Sequence, residues 1–401
     1  MRYFFGPPFP KNGEYVMNLE KYIDVTDYSS LQDAVNAAAE ASIYGGTVFI
    51  PPSVEVLLTR PAILPRTDLS PLRVVKIVGG DKYTSRIVGT LDFPPGRALI
   101  EWEKESKRAW EQKIANLTLE LPDVPDTKAI DYPHLRDRSE EDYSMERLQI
   151  DLIDLLVKGS NTYHQVLIDL QASVFFSRFQ NVIGDIKPGT SPRYDTNLLQ
   201  TDSKHTGKHG ERPLGDTPGI AYSNLSNLHN PIRRGGFAQV FKGRLVLCSF
   251  SDSFCNGGRQ NPSYEFINCQ ATQLLNIGTE GRGEKPIVKM IGCVFMQVDQ
   301  LGLGTPNEVD GSGIGNGLEL YACNDCAFDT HFTLPEKPAF SNLGVKVVVI
   351  DRLSKRNKFT NWGFRAANGD IAAEVDIQAP RENGNVIQGV DVKTDREQVI
   401  Q

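Results

Sequence analysis

The chain has no apolar run near the ~18 residues that a membrane-crossing helix needs, so within these 401 residues no membrane partner is expected. Cysteine is scarce. Six residues are too few for a disulfide scaffold, and Cys323 and Cys326 have no second pair at similar spacing, so no zinc site and no cofactor are expected. Positive charge is in deficit as well: the net charge is −7, against the basic footprint of nucleic-acid binders, so no nucleic-acid partner is expected. A local basic groove facing an acidic glycan remains compatible with that balance. The N-terminal MRYFFGPPFPKNGEYV is interrupted by Pro7, Pro8 and Pro10 and lacks the pattern of a signal peptide. The expectation is an extracellular or virion protein without a visible leader. Long amphipathic helices between strands are also missing, which excludes a doubly wound α/β fold.

Short strand-like segments fill the space instead: 54–58, 74–78, 87–91, 98–102, 114–121, 148–157, 164–170 and 174–183, separated by turn residues. Residues 1–27 read as a Pro-rich arm and 28–401 as one domain. Two polar stretches, 122–143 and 187–218, read as excursions from it. From Phe237 to Phe332 a loose repeat appears, aligning Cys248, Cys269, Cys293 and Cys326 at steps of 21, 24 and 33 residues. Asn116, Asn181 and Asn357 fit the same position. A period of this size in short strands without helices is the mark of a β-solenoid. A β-sandwich would instead show turns every ~8–12 residues with clean alternation.

The stretch Tyr28–Pro52, YSSLQDAVNAAAEASIYGGTVFIPP, shows how the stack is closed. Leu31, Val35, Ala38 and Ala39 form a helical stripe, Ser30 supplies an N-cap hydroxyl, and Gly45-Gly46 precedes the strand Thr47–Ile50. This pattern resembles the N-terminal cap and first coil of the pectate-lyase-like superfamily. The resemblance implies an all-β, single-stranded right-handed parallel β-helix with a capping helix. It also implies work on polysaccharides, as lyases, glycosidases or phage tailspike depolymerases, several of them homotrimers. The catalytic motifs of polygalacturonases and pectate lyases do not occur here, so no catalytic residue carries over from the resemblance.

The repeat itself supplies candidates. Four residues past the Asn/Cys position it reads Glu120, Asp185, Asp252, Gln273 and Gln297, and Asp185 and Asp252 flank the 187–218 stretch. Brought together, they are the expected catalytic pair, at ~5 Å for a retaining glycosidase or ~6.5–9.5 Å for an inverting one. Each is equally a turn aspartate bonding its own backbone. Arg178, Arg233, Arg234 and Arg244, with Tyr264 as a ring to stack on sugar, are the expected substrate-binding residues. Four residues before Cys, the line Arg244, Glu265, Lys289 reads as a solvated ion-pair ladder. Three functions therefore stay open: a glycoside hydrolase, a lyase acting by β-elimination on a uronic-acid glycan, and a non-enzymatic spike.

Overall fold

A computed structural model describes residues 21–42, 44–65, 73–103, 108–132, 147–160, 162–187, 195–201, 219–230, 238–255, 260–279, 285–302, 316–333, 346–365, 374–390 and 397–400. The chain winds as a single-stranded right-handed parallel β-helix. Successive coils stack strand on strand in an eleven-stranded, all-parallel sheet and a larger sheet that is parallel until its last pair, Val386–Val390 with Glu397–Ile400. Of the expected arm 1–27, residues 1–20 lie outside the described residues, and Tyr22–Asp24 pairs with the strand Gly46–Ile50 of the first coil.

The cap forms as its residues dictate. The helix Leu31–Glu40 buries Leu31, Ala34, Val35, Ala38 and Ala39 over the first coil, and Ser30 Oγ accepts from Asp33 N at 3.1 Å. Gly45 has φ +83°, and a Cβ there would lie 1.8 Å from the Val74 carbonyl oxygen, so glycine is required where the chain enters the strand Gly46–Ile50.

Inside the coils, aromatic and aliphatic side chains from the two sheets meet. Phe241, Phe250, Tyr264 and Phe266 pack as a ring cluster, and Phe328 stacks on Phe359 at 4.4 Å between centroids. Burial of this unbroken core, at about 25 cal/mol per Å² of apolar surface, is the main force holding the coils.

The coils turn at residues in the left-handed region, which repeat in register. One corner column is Asn116, Asp154, Asn181, Asn227, Asp252, Asn276 and Gln300, with φ between 51° and 57°. Asn and Asp tolerate this region best after glycine. Their amides also link coils: Asn181 Nδ2 donates to Asp154 Oδ1 at 2.5 Å and Asn276 Nδ2 to Asp252 Oδ1 at 2.9 Å. A second corner column is Phe176, Tyr222, Leu247, Ala271, Phe295, Asp325, Arg356 and Gly384.

Small polar residues follow that second corner because the bend leaves a backbone N–H to satisfy. Ser177 N donates to Ser223 Oγ at 2.9 Å, Cys248 N to Thr272 Oγ1 at 3.4 Å, and Cys326 N to Asn357 Oδ1 at 3.1 Å, each on the next coil. Cys248 and Cys326 thus share one column, whereas Cys269, Cys293 and Cys323 share another. The expected single cysteine register is therefore two. All six thiols are buried and unbridged.

Both expected excursions contain a strand of the eleven-stranded sheet. Lys128–Tyr132 lies within 122–143, and Thr196–Gln200 within 187–218. Burial of every residue in Thr196–Gln200 explains why a stretch polar in its flanks returns to the stack.

A carboxylate column as the candidate active site

The register separates the expected catalytic pair. Asp252 stacks through Asn227 on Asn181, so it occupies the Asn corner, while Asp185 lies four residues beyond that corner, opposite Lys158. Two coil steps and four residues of strand put the two aspartates about 16 Å apart, outside either glycosidase separation. Asp252 is exposed and takes the Asn276 amide; Asp185 joins the outward column Glu120, Lys158, Asp185.

The expected binding residues also disperse. Tyr264 is 0% exposed and donates its hydroxyl to the Gly278 carbonyl at 2.9 Å, so it is a core residue with no ring face for a sugar. Arg178 is exposed and forks onto Asp151, at 3.1 Å from Nε and 2.5 Å from Nη2. Arg244 is half-buried beside the Ala238–Gly243 strand, and Arg233 and Arg234 lie outside the described residues. In the ion-pair ladder, Lys242 takes the place given to Arg244: Lys242, Glu265, Lys289 and Glu319 follow one another on successive coils.

That ladder continues upstream into a different arrangement. On the eleven-stranded sheet, Glu101, Asp131 and Asp169 are direct register neighbours, followed by Gln200 and then Lys242. The far half alternates in sign, as a solvated ladder should. The near half stacks three acids, which repel when directly opposite. Such an arrangement persists only with compensation, and perturbed acids of this kind mark functional sites.

Compensation comes from two cations. Arg97 grips Glu101 with Nε at 2.9 Å from Oε1 and Nη2 at 2.6 Å from Oε2, and Ala98 N adds a bond of 2.7 Å to Oε1. Lys128 Nζ lies 2.7 Å from Asp169 Oδ2 and 3.2 Å from Asp131 Oδ1, and Gln171 Nε2 donates to the other Asp169 oxygen. The two aspartates share one ammonium, so Asp131, which holds the longer of the two bonds and no other among the described residues, is undercompensated. Burial above all, then the Asp169 and Glu101 charges, raises its pKa to about 6 against the pull of Lys128. Burial works against the Lys128 ammonium too, but the Asp169 and Asp131 carboxylates outweigh it and hold it above the ordinary lysine range.

Two further observations set this face apart from a solvated ladder. The Asp169 and Glu101 side chains are only 7% and 8% exposed, and Asp131 16%, so the acids are largely shielded from water. Next along the sheet, Asn197 and Gln239 are register neighbours, 4% and 2% exposed; Asn197 Oδ1 and Gln239 Nε2 have no hydrogen-bond partner among the described residues. Both atoms are enclosed, and Asn197 Nδ2 meets Gln200 Oε1 at 3.5 Å, so these amides are part of the packing beside the acids.

The column leaves only a short-range trace in the sequence. Ile100-Glu101-Trp102, Ile130-Asp131-Tyr132 and Ile168-Asp169-Leu170 repeat one pattern, an acid between two core residues.

No protein-family model matches this chain, and no curated protein matches it in sequence. Among solved structures, it is similar to a catalytic domain of a GH87 α-1,3-glucanase in complex with nigerose, at 11% identity and a TM-score of 0.38, over 95% of this chain and 70% of that one. A DFA-IIIase from Arthrobacter chlorophenolicus A6 is similar at 10% identity and a TM-score of 0.43, over 88% and 86%. Tailspike protein 2 from Escherichia coli O157:H7 bacteriophage CAB120 is similar at 10% identity and a TM-score of 0.42, over 90% of this chain and 46% of that one. The parallel stacking of its own strands makes the chain a right-handed parallel β-helix protein, the fold implied by its cap.

Proposed function

We propose that this protein cleaves glycosidic bonds of a polysaccharide, with Asp131 as general acid and Asp169 as nucleophile or base. The observation that carries the reading is the shared Lys128: it brings the two carboxylates together and leaves one of them with a raised pKa. Two carboxyl groups about 5 Å apart belong to the retaining geometry. Asp131, protonated below about pH 6, is matched to protonating a leaving oxygen, while Asp169 takes the shorter of the two Lys128 bonds.

The lyase alternative has less support. Lys128 is the nearest cation to the pair, and two carboxylates hold its proton, which makes it a poor base for abstraction at carbon.

The non-enzymatic spike keeps one observation in its favour: each acid of the column already has a cation partner, as in a structural network. A polysaccharide panel on wild type and Asp169→Asn separates the two. New reducing ends that the variant fails to produce support the hydrolase. Binding without any product in wild type supports the spike.

A further inference from the structure

These two left-handed corner columns, which stand beside a shorter one of Asn268, Gly292 and Ala322, differ in a way their geometry does not explain. Positive φ suits Asn, Asp and Gly, and the first column is built almost entirely of Asn and Asp. The second holds the same conformation with Phe176, Tyr222, Leu247, Ala271 and Phe295, at φ 50°, 50°, 52°, 47° and 55°. Bulky residues are outliers in this region, and strain retained over successive coils is a pointer to function. Nor is the strain repaid by burial: Phe176, Tyr222, Leu247 and Phe295 are 61%, 53%, 48% and 58% exposed.

These side chains form one continuous ribbon. The rings of Phe176 and Tyr222 stack at 5.5 Å with 20° between planes. Half-buried Phe175, Ala221, Val246 and Val294 lie in the adjoining column. Beyond the corner, the strand facing solvent presents Asn224 and Ser226 on one coil, Ser249 and Ser251 on the next, and Gln273 with exposed Leu275 on the third. Among the described residues, ion pairs flank the ribbon, Arg178 with Asp151 and Arg356 with Asp325, and the coils between them carry the carboxylates Asp252 and Asp299 and half-buried Arg244.

We propose that this face binds a neutral glycan chain running along the helix axis, at a site separate from the carboxylate column on the other sheet. Apolar side chains at each coil stack against the C–H faces of the sugars. The Asn, Ser and Gln side chains beside them exchange hydrogen bonds with ring hydroxyls. Coil follows coil at about 4.8 Å, close to the advance of one hexose in an extended chain, so one repeat of the protein meets one repeat of the ligand. An acidic glycan meets the carboxylates Asp252 and Asp299 on these coils, and among the described residues the cation beside the ribbon, Arg244, is half-buried. A second copy of the chain is a poorer occupant. The ribbon spans five coils, about 20 Å, and one or two side chains in width, a few hundred Å² against the ~800 Å² per partner of a stable interface.

The test is native electrophoresis of the full chain through gels containing dextran, laminarin, galactomannan or alginate. Wild type should be retarded by at least one of the three neutral polysaccharides. In the double variant Tyr222→Asn, Phe295→Asn that retardation should weaken at least tenfold, because Asn keeps the left-handed corner while removing the rings. A thermal midpoint no lower than wild type would show that the variant's fold is intact. Retardation should survive Asp169→Asn, so loss of cleavage and loss of binding are read separately. The proposal is overturned if no neutral polysaccharide retards wild type or if the double variant is retarded equally. It is also overturned if sedimentation shows the variant dissociating an oligomer, since a second copy then covers the face.

Discussion

Asp131 and Asp169 are register partners on adjacent coils, and the ammonium of Lys128 bonds both. Their inequality follows from geometry: Asp169 takes the shorter Lys128 bond and the Gln171 amide, and Asp131 is left to bear the cost of burial. One strand repeat thus places two chemically identical side chains in unequal surroundings.

The raised Asp131 pKa makes a prediction about stability with a definite sign. Its folded value, about 6, stands above the ordinary 3.8, so folding favours the protonated acid. That contribution is fully present below about pH 4 and is lost as pH rises through about 6. Asp131→Asn mimics the protonated form. It should match wild type near pH 4 and exceed it above about pH 7, by up to about 3 kcal/mol, in urea unfolding at both pH values.

Tyr264→Phe tests the burial of a residue whose aromatic ring suggests sugar binding from sequence alone. Removing the hydroxyl leaves the Gly278 carbonyl without that donor and should cost about 1–2 kcal/mol of stability. Retention of polysaccharide in affinity gels should not change, since the ring lies in the core.

Asn181 tests the corner column. Its side chain reaches Asp154 at 2.5 Å and accepts from Asn227 at 3.4 Å, and its φ is 54°. Asn181→Ala loses the amide bonds and places a β-carbon in the left-handed region, at a combined cost of about 2–3 kcal/mol. Asn181→Gly keeps the backbone conformation accessible and should cost less than the alanine variant in the same denaturant titration.

The six cysteines should not react with a thiol reagent in the native state and should react fully in guanidinium. All are buried, and burial raises the pKa of Cys248, Cys293, Cys323 and Cys326, which suppresses thiolate. Rapid labelling of any thiol in folded protein would contradict this packing.

The cap and the solenoid could be read from sequence because each rests on local chemistry. Ser30, the alanine stripe and Gly45-Gly46 specify their conformations within a few residues. Register could not be read the same way. Small polar residues serve two corners and two inward columns: Asn181 holds a left-handed bend, while Cys248 lies beside a different bend and receives no counterpart in the Asn column. Aligning those two shifts the coils by four residues and pairs Asp185 with Asp252, whereas the strands pair Asp252 through Asn227 with Asn181. The acids that do meet were hidden because Asp131 lies in a strand flanked by polar loops, and because strand pairing, not spacing along the chain, joins residues 38 positions apart.

The central claim is most directly tested by digesting a panel of neutral and acidic polysaccharides with wild type, Asp131→Asn and Asp169→Asn, reading reducing ends and the ultraviolet absorbance of unsaturated uronate together. The account predicts new reducing ends without absorbance, reduced 10²- to 10⁴-fold in roughly equal measure by either substitution. Product that forms at the wild-type rate in both variants, or that carries the unsaturated-uronate signal, would contradict it.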